Sequence, residues 1–185
     1  MSAQNPLSGK PAAHRVAYPA LGAALVAAAT MFVQIPMPAG QGYANVGDAV
    51  IFVFAALFGP TVGLAAGGIG SALADVLTGY AVWAPFTLVI KGVEGWIAGR
   101  LAHKAFRDRG LTAQAIFGFA VAGLWMMLGY FLAGALLSRS WEAAVAGIVF
   151  NAFQAGTSLV GAGALLAALR AALRGAAHSK RPSAD

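Results

Sequence analysis

Four ionisable side chains lie within long apolar stretches of this chain: Asp48, Asp75, Lys91 and Glu94. A charge in such a setting is costly, so each is a candidate functional group by default. Lys91 and Glu94 are three residues apart and share a face if the segment is helical, as do Asn151 and Gln154. Groups of this kind can orient a polar solute or relay protons. They can also pair with one another, Asp75 with Lys91 or Lys91 with Glu94, and merely fix helix register. Asp48 and Asp75 can also cap helix ends. Catalysis finds little support. There is no cysteine, and His14, His103 and His178 all lie in polar flanks beside Lys or Arg, away from metal-ligand spacing. Ser71 has only Asp75 nearby. The run Gly67-Gly68-Ile69-Gly70-Ser71 lacks a preceding strand, and no phosphate-loop sequence of the form Gly-x4-Gly-Lys-Ser/Thr occurs. The expectation is a non-enzyme with no metal and no cofactor.

The elements that must hold these groups follow from composition. Of 185 residues, 59% are hydrophobic and 10% charged, and the mean hydropathy is +0.75. A water-soluble domain carries roughly a quarter charged residues, so this chain is expected in a bilayer as an all-α protein. A spanning helix needs ~20 apolar residues. The candidate spans are Val16–Ile35, Val46–Phe58, Thr61–Leu77, Pro85–Leu101, Ala113–Leu137 and Ala143–Leu173. The first is read as an uncleaved helix ended by Pro36 and Pro38.

Gly59–Pro60 is either a turn between two helices or a kink in one. Charge arbitrates, because Lys and Arg of short loops gather on the cytoplasmic side. The basic clusters are Lys10 with Arg15; Arg100, Lys104, Arg107 and Arg109; and Arg170, Arg174, Lys180 and Arg181. A turn at Gly59–Pro60 puts all three on one side. The chain then divides into a cytoplasmic tail 1–15, a six-helix transmembrane domain 16–174 and a cytoplasmic tail 175–185, polar and expected to be disordered, with both termini cytoplasmic. The net charge of +6 reflects this topology and not nucleic-acid binding.

With that topology, polar groups from several spans fall at one depth near the outer face: Asp48, Asp75, Lys91, Glu94, Tyr130, Asn151 and Gln154, with Trp83 at the mouth of the fourth span. Asn45 and Gln41 can join them from the first outer loop, which could act as a lid. The inner half carries almost none. This pattern predicts an outward-facing pocket for a small, flat, polar heterocycle. With Lys91 read as a pocket residue, Lys91→Ala is expected to weaken binding without unfolding the chain. Ala20, Ala24 and Ala28 form a stripe of small residues four apart on the first span, smooth enough for another helix to approach closely.

The segments Asn45-Val46-Gly47-Asp48-Ala49-Val50, Phe58-Gly59-Pro60, Gly70-Ser71-Ala72-Leu73-Ala74-Asp75, Gly79-Tyr80-Ala81-Val82-Trp83-Ala84-Pro85-Phe86-Thr87 and Ile90-Lys91-Gly92 resemble the S components of energy-coupling-factor (ECF) vitamin transporters. The likeness points to the hydroxymethylpyrimidine, pyridoxine or riboflavin branch and covers about a third of the chain. It implies a six-helix, ATPase-free subunit of the bacterial plasma membrane that binds a vitamin near the outer face. It also implies association with a transmembrane T component and two cytoplasmic ATPases, and toppling in the membrane to release substrate. By position, Asn45, Trp83, Lys91, Tyr130 and Asn151 match the family's ligand contacts, and Ala20, Ala24 and Ala28 its docking stripe. Asp75 and Glu94 complete the candidate site. The competing expectation is a self-sufficient secondary transporter relaying protons through Asp75, Lys91 and Glu94.

Overall fold

The structure, a computed structural model, describes residues 12–37 and 42–179. Gln41, Lys10, Lys180 and Arg181 therefore lie outside the described residues. Six helices form: α1 (Ala12–Phe32), α2 (Gly47–Phe58), α3 (Pro60–Leu77), α4 (Ala84–Arg109), α5 (Ala113–Ser138) and α6 (Trp141–Ser179). Two three-residue strands, β1 (Gln34–Pro36) and β2 (Tyr43–Asn45), pair antiparallel, with Gln34 opposite Asn45 and Pro36 opposite Tyr43.

Helix is the expected solution for apolar segments in lipid, because it satisfies every backbone donor within the segment. Four helices among the described residues, α1, α3, α5 and α6, are long and apolar enough to cross a membrane. The α2 helix is apolar but only 12 residues long, and α4 carries Lys91 and Glu94 within it. Some expected boundaries are corrected. The first helix stops at Phe32 and Ile35 belongs to β1, because the chain turns into the hairpin before reaching Pro36. The last helix runs through residue 174 to Ser179 instead of giving way to an irregular tail, since no Pro interrupts it.

Gly59 resolves the question of turn or kink. Its φ of 92° lies in the left-handed region that favours glycine, and Pro60 follows at the first position of α3. Beyond it the chain doubles back, with a Cβ on Gly63 falling 2.9 Å from Ala55 and one on Gly67 3.3 Å from Ile51. The pairs Gly63–Gly95, Leu101–Gly118 and Gly123–Ala155 give the same antiparallel sense to α3–α4, α4–α5 and α5–α6. Thr30 approaches Gly47, which does so for α1–α2. The bundle therefore alternates up and down. The described ends, residues 12 and 179, share one end with Arg15, Arg100, Lys104, Arg107, Arg109, Arg170 and Arg174, whereas Arg139 and the hairpin lie at the other.

The bundle's exterior is apolar. Leu64, Val89, Phe117, Leu124, Val149, Phe153 and Val160 all project outward. An apolar surface of this extent suits lipid and not water. Its interior splits in two. Toward the basic end lies a packed apolar layer in which Phe52 and Phe119 stack with centroids 4.9 Å apart, among Ala56, Ala98, Ala102, Ala115 and Leu166. Toward the hairpin end gather the buried polar residues Thr30, Asp48, Ser71, Asp75, Thr87, Lys91, Asn151 and Gln154, beside an apolar cluster of Trp83, Ile90 and Met126.

The α3–α4 pair is in backbone contact. A Cβ on Gly63 would fall 2.3 Å from the Gly95 carbonyl oxygen, and one on Gly67 2.4 Å from that of Lys91. No side chain fits there without separating the helices. Gly63→Leu is expected to lower thermal stability in detergent by several kcal/mol, on the order of the larger overpacking penalties. Gly156→Ala, on α6 with open space around it, is expected to be neutral or stabilising by up to ~1 kcal/mol. Unfolding monitored by tryptophan fluorescence compares the two.

Candidate ligand pocket at the hairpin end

The polar half of the interior encloses a cavity lined by Thr30, Met37, Gly42, Tyr43, Asn45, Ser71, Asp75, Trp83, Thr87, Lys91, Tyr130, Asn151 and Gln154. All helices except α2 contribute to this lining, as does the hairpin. Six of the seven residues expected from sequence, Asn45, Asp75, Trp83, Lys91, Tyr130 and Asn151, line this one space. The seventh, Glu94, is buried about one turn below Lys91 and away from the lining.

The ion pairs are not quite those expected. The Lys91 ammonium donates to Asp48 Oδ1 and lies 3.1 Å from Glu94 Oε2. The Lys91–Glu94 pair was among the alternatives read from sequence; an Asp75–Lys91 salt bridge does not form. All three members of the cluster are about 1% exposed or less. Gln154 completes it, donating from Nε2 to Asp48 Oδ2 at 2.7 Å while its Oε1 accepts the Asn45 backbone N–H at 2.8 Å. One glutamine thus ties the start of α2 to the end of β2. The Asn45 side chain accepts from the Gly47 N–H at 2.8 Å, so it shapes the turn into α2 as well as facing the cavity.

The outer wall is aromatic. Trp83 and Tyr130 lie with centroids 6.1 Å apart, and Tyr43 packs edge-on to Tyr80 at 4.7 Å. The Tyr130 hydroxyl donates to Thr87 Oγ1 at 3.1 Å, and the Lys91 ammonium sits 5.4 Å from the Tyr130 ring centroid. The Tyr43 hydroxyl donates to Asp75 Oδ1 at 2.7 Å. Burial and the neighbouring carboxylate push the Tyr43 phenol far above its ordinary pKa, so it stays a donor across the physiological range. Through this bond β2 is pinned to α3, and Gln34 adds a second tie by donating to Thr78 at 3.2 Å. Free space at the cavity's centre is about 20 Å³, room for roughly one water. A wider, open cleft between α4 and α5, lined by Lys104, Asp108, Arg109 and Thr112, lies at the basic end. It has no aromatic wall and no buried polar group.

Sequence reasoning placed Asp48 and Gln154 at the right depth but left both out of the core site, and it missed Tyr43, Thr87 and Thr30. Tyr43 follows two closely spaced glycines in the sequence and opens a β-strand too short to show alternation. Its signal is only that a buried tyrosine must find a partner.

Fold and site together define a multi-pass membrane protein with a partly charged chamber confined to one end, the architecture of a binding subunit and not of an open pore. The chain belongs to the family of ECF-type riboflavin transporter S components, which it matches over residues 10–171. It is 51% identical over 107 residues to a protein of Pyrococcus woesei described as in the gap 3′ region, a match covering 57% of this chain and 68% of that one. It is 30% identical over 120 residues to the thiamine precursor transporter HmpT of Lactococcus lactis subsp. cremoris, covering 64% of this chain and 65% of the relative. It is also 35% identical over 102 residues to a UPF0397 protein of Streptococcus agalactiae, covering 55% and 56%. The family is one of transporter components and not of enzymes.

This geometry changes what is expected of Lys91→Ala. Removing the ammonium leaves Asp48 and Glu94 buried without their cation, a loss of about 3–5 kcal/mol. The expected outcome is a strongly destabilised fold, with ligand binding lost as a consequence. The double variant Asp48→Asn/Lys91→Met is expected to recover part of that stability. Thermal melting in detergent distinguishes this from a Lys91 that acts on ligand alone, which would leave the melt unchanged.

Proposed function

We propose that this chain is the substrate-binding subunit for uptake of a small vitamin or vitamin precursor. The first expectation is a pyridoxine- or hydroxymethylpyrimidine-like heterocycle, with riboflavin next. It crosses the plasma membrane six times with both termini cytoplasmic, so the chamber opens outward. Uptake is energised by a separate T component and two ATPase subunits. The observation that carries the reading is the division of the interior: polar and aromatic side chains converge on one cavity, while the Phe52–Phe119 layer lies packed beneath it. The family match and the relative named as a thiamine precursor transporter support the substrate class. With so little free space at its centre, the chamber admits a ring only after the hairpin or the Trp83–Tyr130 wall shifts outward.

The same layer argues against a self-sufficient transporter. Asp75 is bonded to Tyr43 rather than to the Lys91–Glu94 pair, so the three groups proposed for a proton relay do not form one chain. Beneath them Phe52, Ala98, Phe119 and Leu166 are buried and apolar. Of the polar groups there, the buried Ser158 hydroxyl has no hydrogen-bond partner among the described residues and His103 bonds to the Ala56 carbonyl, so neither links the cluster to the basic end. Release to the inside then requires the whole subunit to reorient, for which a partner supplies the work. Ala20, Ala24 and Ala28 are all exposed along α1, as a docking stripe for the T component requires.

Two outcomes are expected. In reconstituted vesicles the chain alone binds vitamin but does not accumulate it, whereas addition of the T component, both ATPases and ATP produces uptake. Accumulation by the chain alone would overturn the reading. Ala24→Trp is expected to leave binding unchanged and to abolish co-purification with the T component, because its indole occupies the surface where a partner helix must approach.

A further inference from the structure

Within the chamber the hydrogen bonds can be followed group by group. Asp48 has both oxygens engaged, one by Lys91 and one by Gln154. Asp75 has only one engaged: Oδ1 accepts from Tyr43, whereas Oδ2 is buried with no partner among the described residues. Asp75 is 4% exposed and lines the cavity. Thr30 Oγ1, on the same lining, is likewise buried and unpartnered. A buried carboxylate oxygen with no donor costs a good deal, and a native site keeps such a group where a ligand completes it. The nearest protein donor is the Thr87 hydroxyl, which faces Asp75 across the cavity and accepts from Tyr130, yet Oδ2 makes no hydrogen bond of ordinary geometry with it. The charged groups around it do not supply the missing donor. Lys91 is committed to Asp48 and Glu94, and the Tyr130 hydroxyl donates to Thr87. Of the three buried carboxylates, Asp48 and Glu94 share the ammonium of Lys91, and Asp75 pairs with no cation among the described residues.

Resting on the binding-subunit reading above, we propose that Asp75 is the specificity-determining residue of the chamber. Its open oxygen receives an N–H of the ligand, so the site selects a protonatable, amino-bearing heterocycle over a neutral oxo-heterocycle of the same shape. An aminopyrimidine or aminopyridine presents that donor, and a ring protonated at the adjacent nitrogen adds a cation for Asp75, which Lys91 does not pair with. A carbonyl at the same position would set two acceptors against each other. Tyr43 holds the carboxylate in place through Oδ1 and leaves the other oxygen to the ligand.

The test uses the full chain purified in detergent and two isosteric probes: 4-amino-5-hydroxymethyl-2-methylpyrimidine and its 4-oxo counterpart. Titration calorimetry is expected to show the amino compound binding tighter by about ten- to a hundredfold, the worth of one charge-assisted hydrogen bond. In Asp75→Asn, which keeps the shape and removes the charge, the gap is expected to close. Equal binding of the two probes to the wild-type chain overturns the proposal, and so does a gap that persists in Asp75→Asn. Should Asp75→Asn not fold, the wild-type comparison decides alone. Riboflavin or pyridoxine binding with no preference between the two pyrimidines would sink this inference and leave the binding-subunit reading standing. A folded chain that binds none of the four would overturn both.

Discussion

The buried contact of Lys91 with Asp48 and Glu94 is the constraint around which the bundle is arranged. In a bilayer, charges are kept inside only if they compensate one another. Compensation here requires α2 and α4 to meet at one depth and one rotation. Gln154 extends the requirement to α6, and through the Asn45 backbone to the hairpin. Four separate segments are therefore fixed by one set of polar contacts. The chamber is the space left above them, and its floor is this ion cluster.

Close packing makes the ion cluster attainable. The α2 helix is short, so Asp48 reaches Lys91 only if α3 brings α4 in tightly. Glycines at 63, 67 and 95 allow that approach, with Gly67 directly against the Lys91 carbonyl. Glycine in a helix interior costs stability in isolation; here the cost is offset by the contact it permits. Beneath the cluster the stacked Phe52 and Phe119 rings fill the remaining space, so the protein has a wet end and a dry end. A binding subunit that relies on partners for movement fits this division. A pore would need polar groups through both halves.

Much of this was legible in the sequence, for identifiable reasons. The Gly59–Pro60 turn and the alternating bundle followed from where the basic residues cluster, since charge asymmetry is written directly in the chain. The convergence of Asp75, Lys91, Tyr130 and Asn151 followed from counting depth along helices of known rise. Helix rotation did not follow from depth. Asp48 and not Asp75 meets Lys91 because packing sets the azimuth of α2 and α3, and no residue pattern reports that. The hairpin was also hidden: three-residue strands carry no periodicity, and Tyr43, which pins them, looks like an ordinary loop aromatic. The extent of α6 was underestimated because its last turns are polar, although nothing in them breaks a helix.

The central claim is that this chain by itself holds a small heterocycle in the chamber above the Asp48–Lys91–Glu94 cluster. Equilibrium dialysis of the purified chain tests it most directly, with no nucleotide and no other protein, against radiolabelled pyridoxine, hydroxymethylpyrimidine, thiamine, riboflavin, pantothenate and biotin. The account predicts saturable retention of one of these at a stoichiometry of about one per chain, as expected for a single enclosed site. A folded chain that retains none of them would contradict it.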